Sequence, residues 1–185
     1  MPKKVDVPAC EFWDDNKQEF VNTKATSFVI EHSLVSISKW ESKWKVPFLS
    51  NDPNTKFTQE QILDYIVDMT ITQNVDPMVY YALTPKTVQE IFDYVQEQRT
   101  ATWFGKSPIP AGSRDNRAMT SERLYHLMIN YNIPMKCEKW HLSRLLTLIR
   151  ICQEEQKKQE KKNPKDAAMA RHNLNAARRA KARHH

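Results

Sequence analysis

Glycine is almost missing from this chain: 185 residues contain only Gly105 and Gly112. Phosphate cradles need clustered glycines for tight turns and close backbone approach, so dinucleotide fingerprints and P-loops are excluded. A G-x-S-x-G nucleophile elbow is excluded as well. So few glycines also argue against an all-β barrel with many tight hairpins. Cysteine is scarce. Cys10, Cys137 and Cys152 are odd in number and far apart, which reads as reduced thiols in a cytoplasmic setting. No apolar run approaches the length that spans a membrane, and Met1–Asp6 lacks the apolar stretch of a signal peptide.

What the chain has is 40% hydrophobic residues, 10% aromatics and five tryptophans, enough for a real core. Its net charge of +6 is unevenly placed. Residues 163–185 carry Lys165, Arg171, Arg178, Arg179, Lys181 and Arg183 against Asp166 alone, a net of +5. Residues 1–162 hold 22 basic and 21 acidic side chains and are nearly neutral. The basic character therefore belongs to a C-terminal appendage, not to the body.

Residues 4–32 read as β. Val5 and Val7 alternate with polar residues, Asp14–Lys17 is a turn cluster between Phe12-Trp13 and Phe20-Val21, and Ser27–Ile30 is a further β-favouring run. Such a small antiparallel sheet needs helices packed on one face. From Ser33 the period becomes helical, with Leu34, Ile37, Trp40 and Trp44 on one side and Pro47 as terminator. Thr58 and Gln61 form a capping-box pattern ahead of Ile62, Leu63, Ile66 and Met69. Asp76-Pro77 and Thr84-Pro85 open two more helices, the first reaching Leu83 and the second carrying Val88, Ile91, Phe92 and Val95. Residues 105–119 form an unpatterned loop. Thr120-Ser121 start a helix that Ile133-Pro134 ends.

A long last helix is expected over 138–162. Its apolar residues, from Trp140 through Leu145, Leu146 and Leu148 to Cys152, sweep about 240° of the circumference. That width predicts burial on a second side, by the domain's own helices or by another copy. The edges of the arc, Trp140 and Leu146, are the candidate interface of a homo-oligomer. After Gln153 the helix is charged and should project into solvent. Residues 165–185 contain seven alanines but only Met169 and Leu174 as larger apolar groups, too little for a core.

No constellation for catalysis is readable. Cys137 and His141 are one helical turn apart, but Cys152 lies eleven residues further, about 16 Å along a helix, too far to share a metal ion. His32 and His126 read as packing residues, and no serine or cysteine sits beside a plausible base. No catalytic residue, metal or cofactor is called for. Trp40 and Trp44 have basic residues between them, a pattern on which bases could stack, but two core residues at i, i+4 explain it better. The six basic residues of the tail could neutralise DNA phosphates or meet an acidic protein.

Three segments of the body, 32–49, 100–104 and 133–150, resemble in that order a family of small proteins from tailed bacteriophages and prophages. They read HSLVSISKWESKWKVPFL, TATWF and IPMKCEKWHLSRLLTLIR. The likeness returns in the tail at Leu174–Arg179 (LNAARR) and departs from the family pattern around 105–119. The family is associated with virion morphogenesis, in the tail module. The resemblance implies a non-enzymatic protein that binds other phage tail or virion proteins, in the cytoplasm of the infected host and in the virion.

The expected fold is α+β and predominantly α: an N-terminal sheet over 1–32 packed on a helical body over 33–162, then a basic tail over 163–185. The expected function is tail assembly, chaperone-like, or a structural role in the virion. The alternative is a DNA-contacting component of the head–tail junction acting through the tail.

Overall fold

A computed structural model of the protein describes residues 2–14, 18–50, 56–102, 104, 118–162 and 169. The architecture is α+β and mostly helical. Four strands come first, β1 (Lys3–Val7), β2 (Cys10–Asp14), β3 (Glu19–Thr23) and β4 (Thr26–Ile30). β1 pairs antiparallel with β4, and β2 with β3. Val7 is opposite Thr26 and Cys10 is opposite Thr23, so two residues interrupt each strand and the register passes the gap without slipping. The four strands are thus one long two-stranded ribbon, broken at Pro8-Ala9 and Lys24-Ala25.

The inward face changes over at that break. In the base of the ribbon Val5, Val7, Phe28 and Ile30 are buried. Strict alternation would continue that face to Glu11, Trp13, Phe20 and Asn22. Instead Cys10 and Phe12 pack against the core and Thr23 is buried, while Trp13 and Phe20 are exposed. Pro8 has no N–H to donate to a ladder, and two-stranded ribbons twist more strongly than wide sheets, so the break is where the ribbon can turn over.

The base is held on three sides. Its outer edge at β4 is covered by residues 69–72: Glu31 N–H donates to the Met69 carbonyl (2.8 Å), Ile71 N–H to the Val29 carbonyl (2.9 Å) and Val29 N–H to Thr72 Oγ1 (2.9 Å). This pairing closes an edge that would otherwise offer free backbone groups. β1 meets the fourth helix, and the buried face meets the body.

The helices are α1 (Leu34–Trp44), α2 (Gln59–Met69), α3 (Met78–Tyr81), α4 (Pro85–Gln96), α5 (Ser121–Asn130) and α6 (Leu142–Lys162). Their starts follow the local sequence. Ser33 and Ser36 make a reciprocal capping box on α1, and Thr58 and Gln61 make one on α2. Thr84 Oγ1 accepts the Thr87 N–H, with Pro85 at the first helical position of α4. Asp76 Oδ1 accepts the Met78 N–H at the start of α3, which ends at Tyr81, two residues before Leu83. Lys45 ends α1 in the left-handed region, φ 57°.

α1 lies at the centre, packed on α2 and α5. Leu34, Ile37 and Trp40 of α1 join Ile66 and Met69, Ile91 and Tyr94, Leu124 and Met128, and Leu142, Leu145 and Ile149 in one core that also contains Val5 and Phe28. Ribbon base and helices therefore share one hydrophobic interior, each large side chain contributing about 1.5–3 kcal/mol by its burial.

The last helix differs from its expected form. Met135–Lys139 is a separate 3-10 turn, Trp140 is extended, and His141 bridges to Ser33 before α6 begins at Leu142. Leu142 N–H is taken by the His32 carbonyl (2.9 Å). A continuous helix from 138 would have had to surrender this link to the end of the ribbon.

Candidate functional site

Among the described residues a buried polar cluster and an exposed aromatic pair stand out. The first lies where the ribbon leaves its base. His32 Nδ1 is 2.5 Å from Tyr65 Oη, and the His32 ring lies edge-on to His141 with centroids 5.2 Å apart. His32 N–H donates to Tyr94 Oη (3.2 Å). His141 Nε2 is 3.1 Å from the Tyr94 carbonyl, and its Nδ1 is 2.9 Å from Ser143 Oγ. A carbonyl only accepts, so Nε2–H of His141 is the donor and Nδ1 accepts from Ser143. Arg99 N–H also reaches Ser143 Oγ (3.1 Å), and the Arg99 guanidinium covers the Tyr94 ring.

Burial sets the protonation of this cluster. Loss of solvent pushes His32 down to about 3, with His141 adding to the effect. His141 is also lowered, chiefly by burial, with the Arg99 charge contributing. Tyr65 is raised far above the ordinary phenol, again by burial. Both rings are therefore neutral at pH 7, and Tyr65 keeps its proton within hydrogen-bond reach of His32 Nδ1 and Ser36 Oγ. These groups are committed to one another and join β4, α1, α2, α4 and α6.

A second buried ionisable group does similar work across the core. Glu41, 6% exposed, accepts the Phe48 N–H at Oε1 (2.8 Å) and the Ser121 N–H at Oε2 (2.7 Å). Thr120, the residue before α5, makes no side-chain cap, so Glu41 of α1 supplies the anion at the start of that helix. No local pattern announces this, because Glu41 and Ser121 are eighty residues apart. Among the described residues no group of three or more His, Cys, Asp or Glu is placed to hold a metal ion. None of their helices is long and apolar enough to cross a membrane.

The second place is the tip of the ribbon. Trp13 and Phe20 are cross-strand partners, ring centroids 5.0 Å apart and edge to face, and they are 47% and 65% exposed. Beside them, on the same face, Asn22 Nδ2 meets Glu11 Oε1 at 3.5 Å. The opposite face is occupied by Cys10, Phe12 and Thr23, with Thr23 Oγ1 donating to the Cys10 carbonyl (3.1 Å). The tip thus presents two large aromatics that the domain's own core does not use.

A separate apolar cavity of about 190 Å³ lies between α1, α2 and α4, walled by Trp40, Phe48, Phe57, Tyr65, Ile91 and Phe92. Trp40 is a core residue whose Nε1 donates to the Gln61 carbonyl (2.8 Å), so its ring is not a stacking platform.

Lys165, Arg171, Arg178, Arg179, Lys181 and Arg183 lie outside the described residues. Leu146 is not an interface residue: it is 3% exposed and belongs to the core. Leu142, Leu145, Leu146 and Ile149 of the α6 arc are buried in the protein's own core, and Leu148 and Cys152 are half-buried against it. Trp140 is half-buried, precedes α6 and carries the Arg144 guanidinium over its ring at 4.7 Å, so it is not an edge of the α6 face. The ribbon tip was missed as a site, although Phe12-Trp13 and Phe20-Val21 held the signal. Two adjacent large apolar residues in a strand cannot both face one core.

Comparison of the chain with protein-family models, with curated proteins and with solved structures returns no match.

Proposed function

We propose that the protein is a bacteriophage tail-assembly or virion structural protein that acts by binding other phage proteins, without catalysis, in the infected host cell and in the particle. The observation that carries this reading is the Trp13–Phe20 pair, held outside the core on a ribbon whose other face is anchored. Large aromatics on a rigid strand pair are the usual anchors of protein interfaces. The buried His32–Tyr65–His141 cluster supports it from the other side, since its groups are neutral and engaged in holding elements together. The phage resemblance of segments 32–49 and 133–150 supplies the biological setting.

Quantitative mass spectrometry of purified particles, together with deletion of the gene, tests the reading. Stoichiometric presence supports a structural role. Absence from particles that fail to assemble without the gene supports a chaperone. Normal, infective particles lacking the protein and formed without its gene would refute both. The net +5 of residues 163–185 favours a second reading, contact with DNA at the head–tail junction. That reading requires duplex retention at about 50 mM salt and its steep loss as salt rises.

A further inference from the structure

We propose that the apolar cavity between α1, α2 and α4 is a binding site for a small neutral aromatic compound, one ring with a short alkyl substituent. Its volume is about 190 Å³. Protein interiors are close-packed, and voids much larger than a water molecule are few. An apolar cavity of about 150 Å³ stays dry and holds one benzene ring, so this one takes a ring with a carbon or two more.

The walls are fixed before any guest arrives. Trp40 is edge-on to Phe48 (86°, centroids 5.3 Å apart) and to Phe57 (72°, 5.0 Å), while Phe48 and Phe57 stack nearly parallel (19°, 5.5 Å). The Trp40 indole is tied to the Gln61 carbonyl and the Phe48 backbone to Glu41, which holds both rings against collapse into the space. Tyr65 is held by His32. A site preformed in this way asks a ligand for little ordering of the protein.

The lining sets the chemistry of the guest. Trp40 Nε1, Tyr65 Oη and Gln61 Oε1 are already bonded within the protein, to the Gln61 carbonyl, His32 Nδ1 and the Thr58 N–H. A charged guest would lose its water without gaining a partner from them. The wall rings already meet edge to face, and an aromatic guest extends that network where a saturated ring of equal size does not. Access is from the side of α2 and α4. There Ile62, Phe92 and Val95 are half-buried and Gln96 is exposed, while Trp40, Tyr65 and Ile91 on the inner wall are buried.

Isothermal titration calorimetry of the full-length protein with toluene tests this. Saturation at one molecule per chain is expected, with a Kd below about 1 mM. Methylcyclohexane should bind about threefold more weakly or worse, and benzoate not measurably. Intermolecular NOEs should run from toluene to the Trp40 and Phe92 rings of the unaltered protein. Val95→Phe and Ile62→Phe, each adding bulk to the wall, should weaken toluene by about tenfold or more. Phe20→Ala, at the ribbon tip, should leave it unchanged. Four results overturn the site: no saturable binding of toluene, methylcyclohexane or benzoate binding as tightly, folded Val95→Phe and Ile62→Phe proteins that both bind as before, or NOEs that run to the ribbon tip and not to the cavity. The NOEs decide the question in the unaltered protein even where a filled variant does not fold. The inference does not rest on the assembly role, which particle composition reads separately.

Discussion

The two halves of the β-ribbon are built alike and used differently. Base and tip each have five residue pairs in one uninterrupted register. In the base, Val5, Val7, Phe28 and Ile30 are at most 3% exposed, and both edges and one face are engaged. In the tip, the corresponding face carries Trp13 and Phe20 into solvent. The strands do not differ in propensity, since both halves are rich in aromatic and β-branched residues. The difference is what lies beside them. A strand pair becomes core where helices supply a second layer, and stays exposed where the second layer ends.

The largest effect that can break this comparison is at Phe28. Phe28→Ala should cost about 3–5 kcal/mol, the range for emptying a packed aromatic site. A loss under about 1 kcal/mol in chemical denaturation, typical of surface positions, would show that the base is not core.

Acid should loosen the same region. His32 binds its proton only near pH 3 when folded but near 6.5 when unfolded. The unfolded state therefore takes up more protons between these values, and stability falls as pH drops from 6.5 toward 3. The loss from His32 is on the order of 4 kcal/mol, with His141 shifting in the same direction. Glu31 and Asp68, both raised by burial, act in the opposite sense at the acid end. Denaturation series across this pH range should show the decline in the natural protein and a shallower one in His32→Gln.

Glu41→Ala leaves the Phe48 and Ser121 N–H groups without their acceptor. Each such loss costs about 1–3 kcal/mol, so a destabilisation of about 2–6 kcal/mol is expected. Hydrogen exchange should quicken first at the start of α5.

The smallest effect should be at the tip. Phe20→Ala is expected to change stability by less than about 0.5 kcal/mol, as at exposed positions generally. A thermal midpoint lowered as far as in Phe28→Ala would abolish the distinction between base and tip.

Much of the fold was legible locally. The strand runs, the capping boxes at Ser33 and Thr58 and the Thr84-Pro85 start appear where spacing and cap chemistry put them, because a cap is satisfied within four residues. Residues 15–17 of the Asp14–Lys17 turn cluster and residues 105–117 of the 105–119 loop lie outside the described residues, while Met119 is buried and bridges to Leu49. Leu146 was misread because a wide apolar arc has the same pattern whether neighbouring helices or another copy cover it. The long helix from 138 was misread because Met135–Lys139 has helical composition, and its separation from α6 depends on a bond to His32, over a hundred residues away.

The sequence by itself determined which residues pair with water and which seek a core, where the helices before α6 begin, and that charge gathers at the C-terminal end. Each of these is a property of a residue and its near neighbours. Tertiary structure alone decided that the ribbon turns over at Pro8-Ala9, that Glu41 caps a helix eighty residues distant, and that Trp13 and Phe20 stay outside. Those outcomes depend on where the second layer of packing stops, which is set by the sum of long-range contacts and is carried by no single stretch of chain.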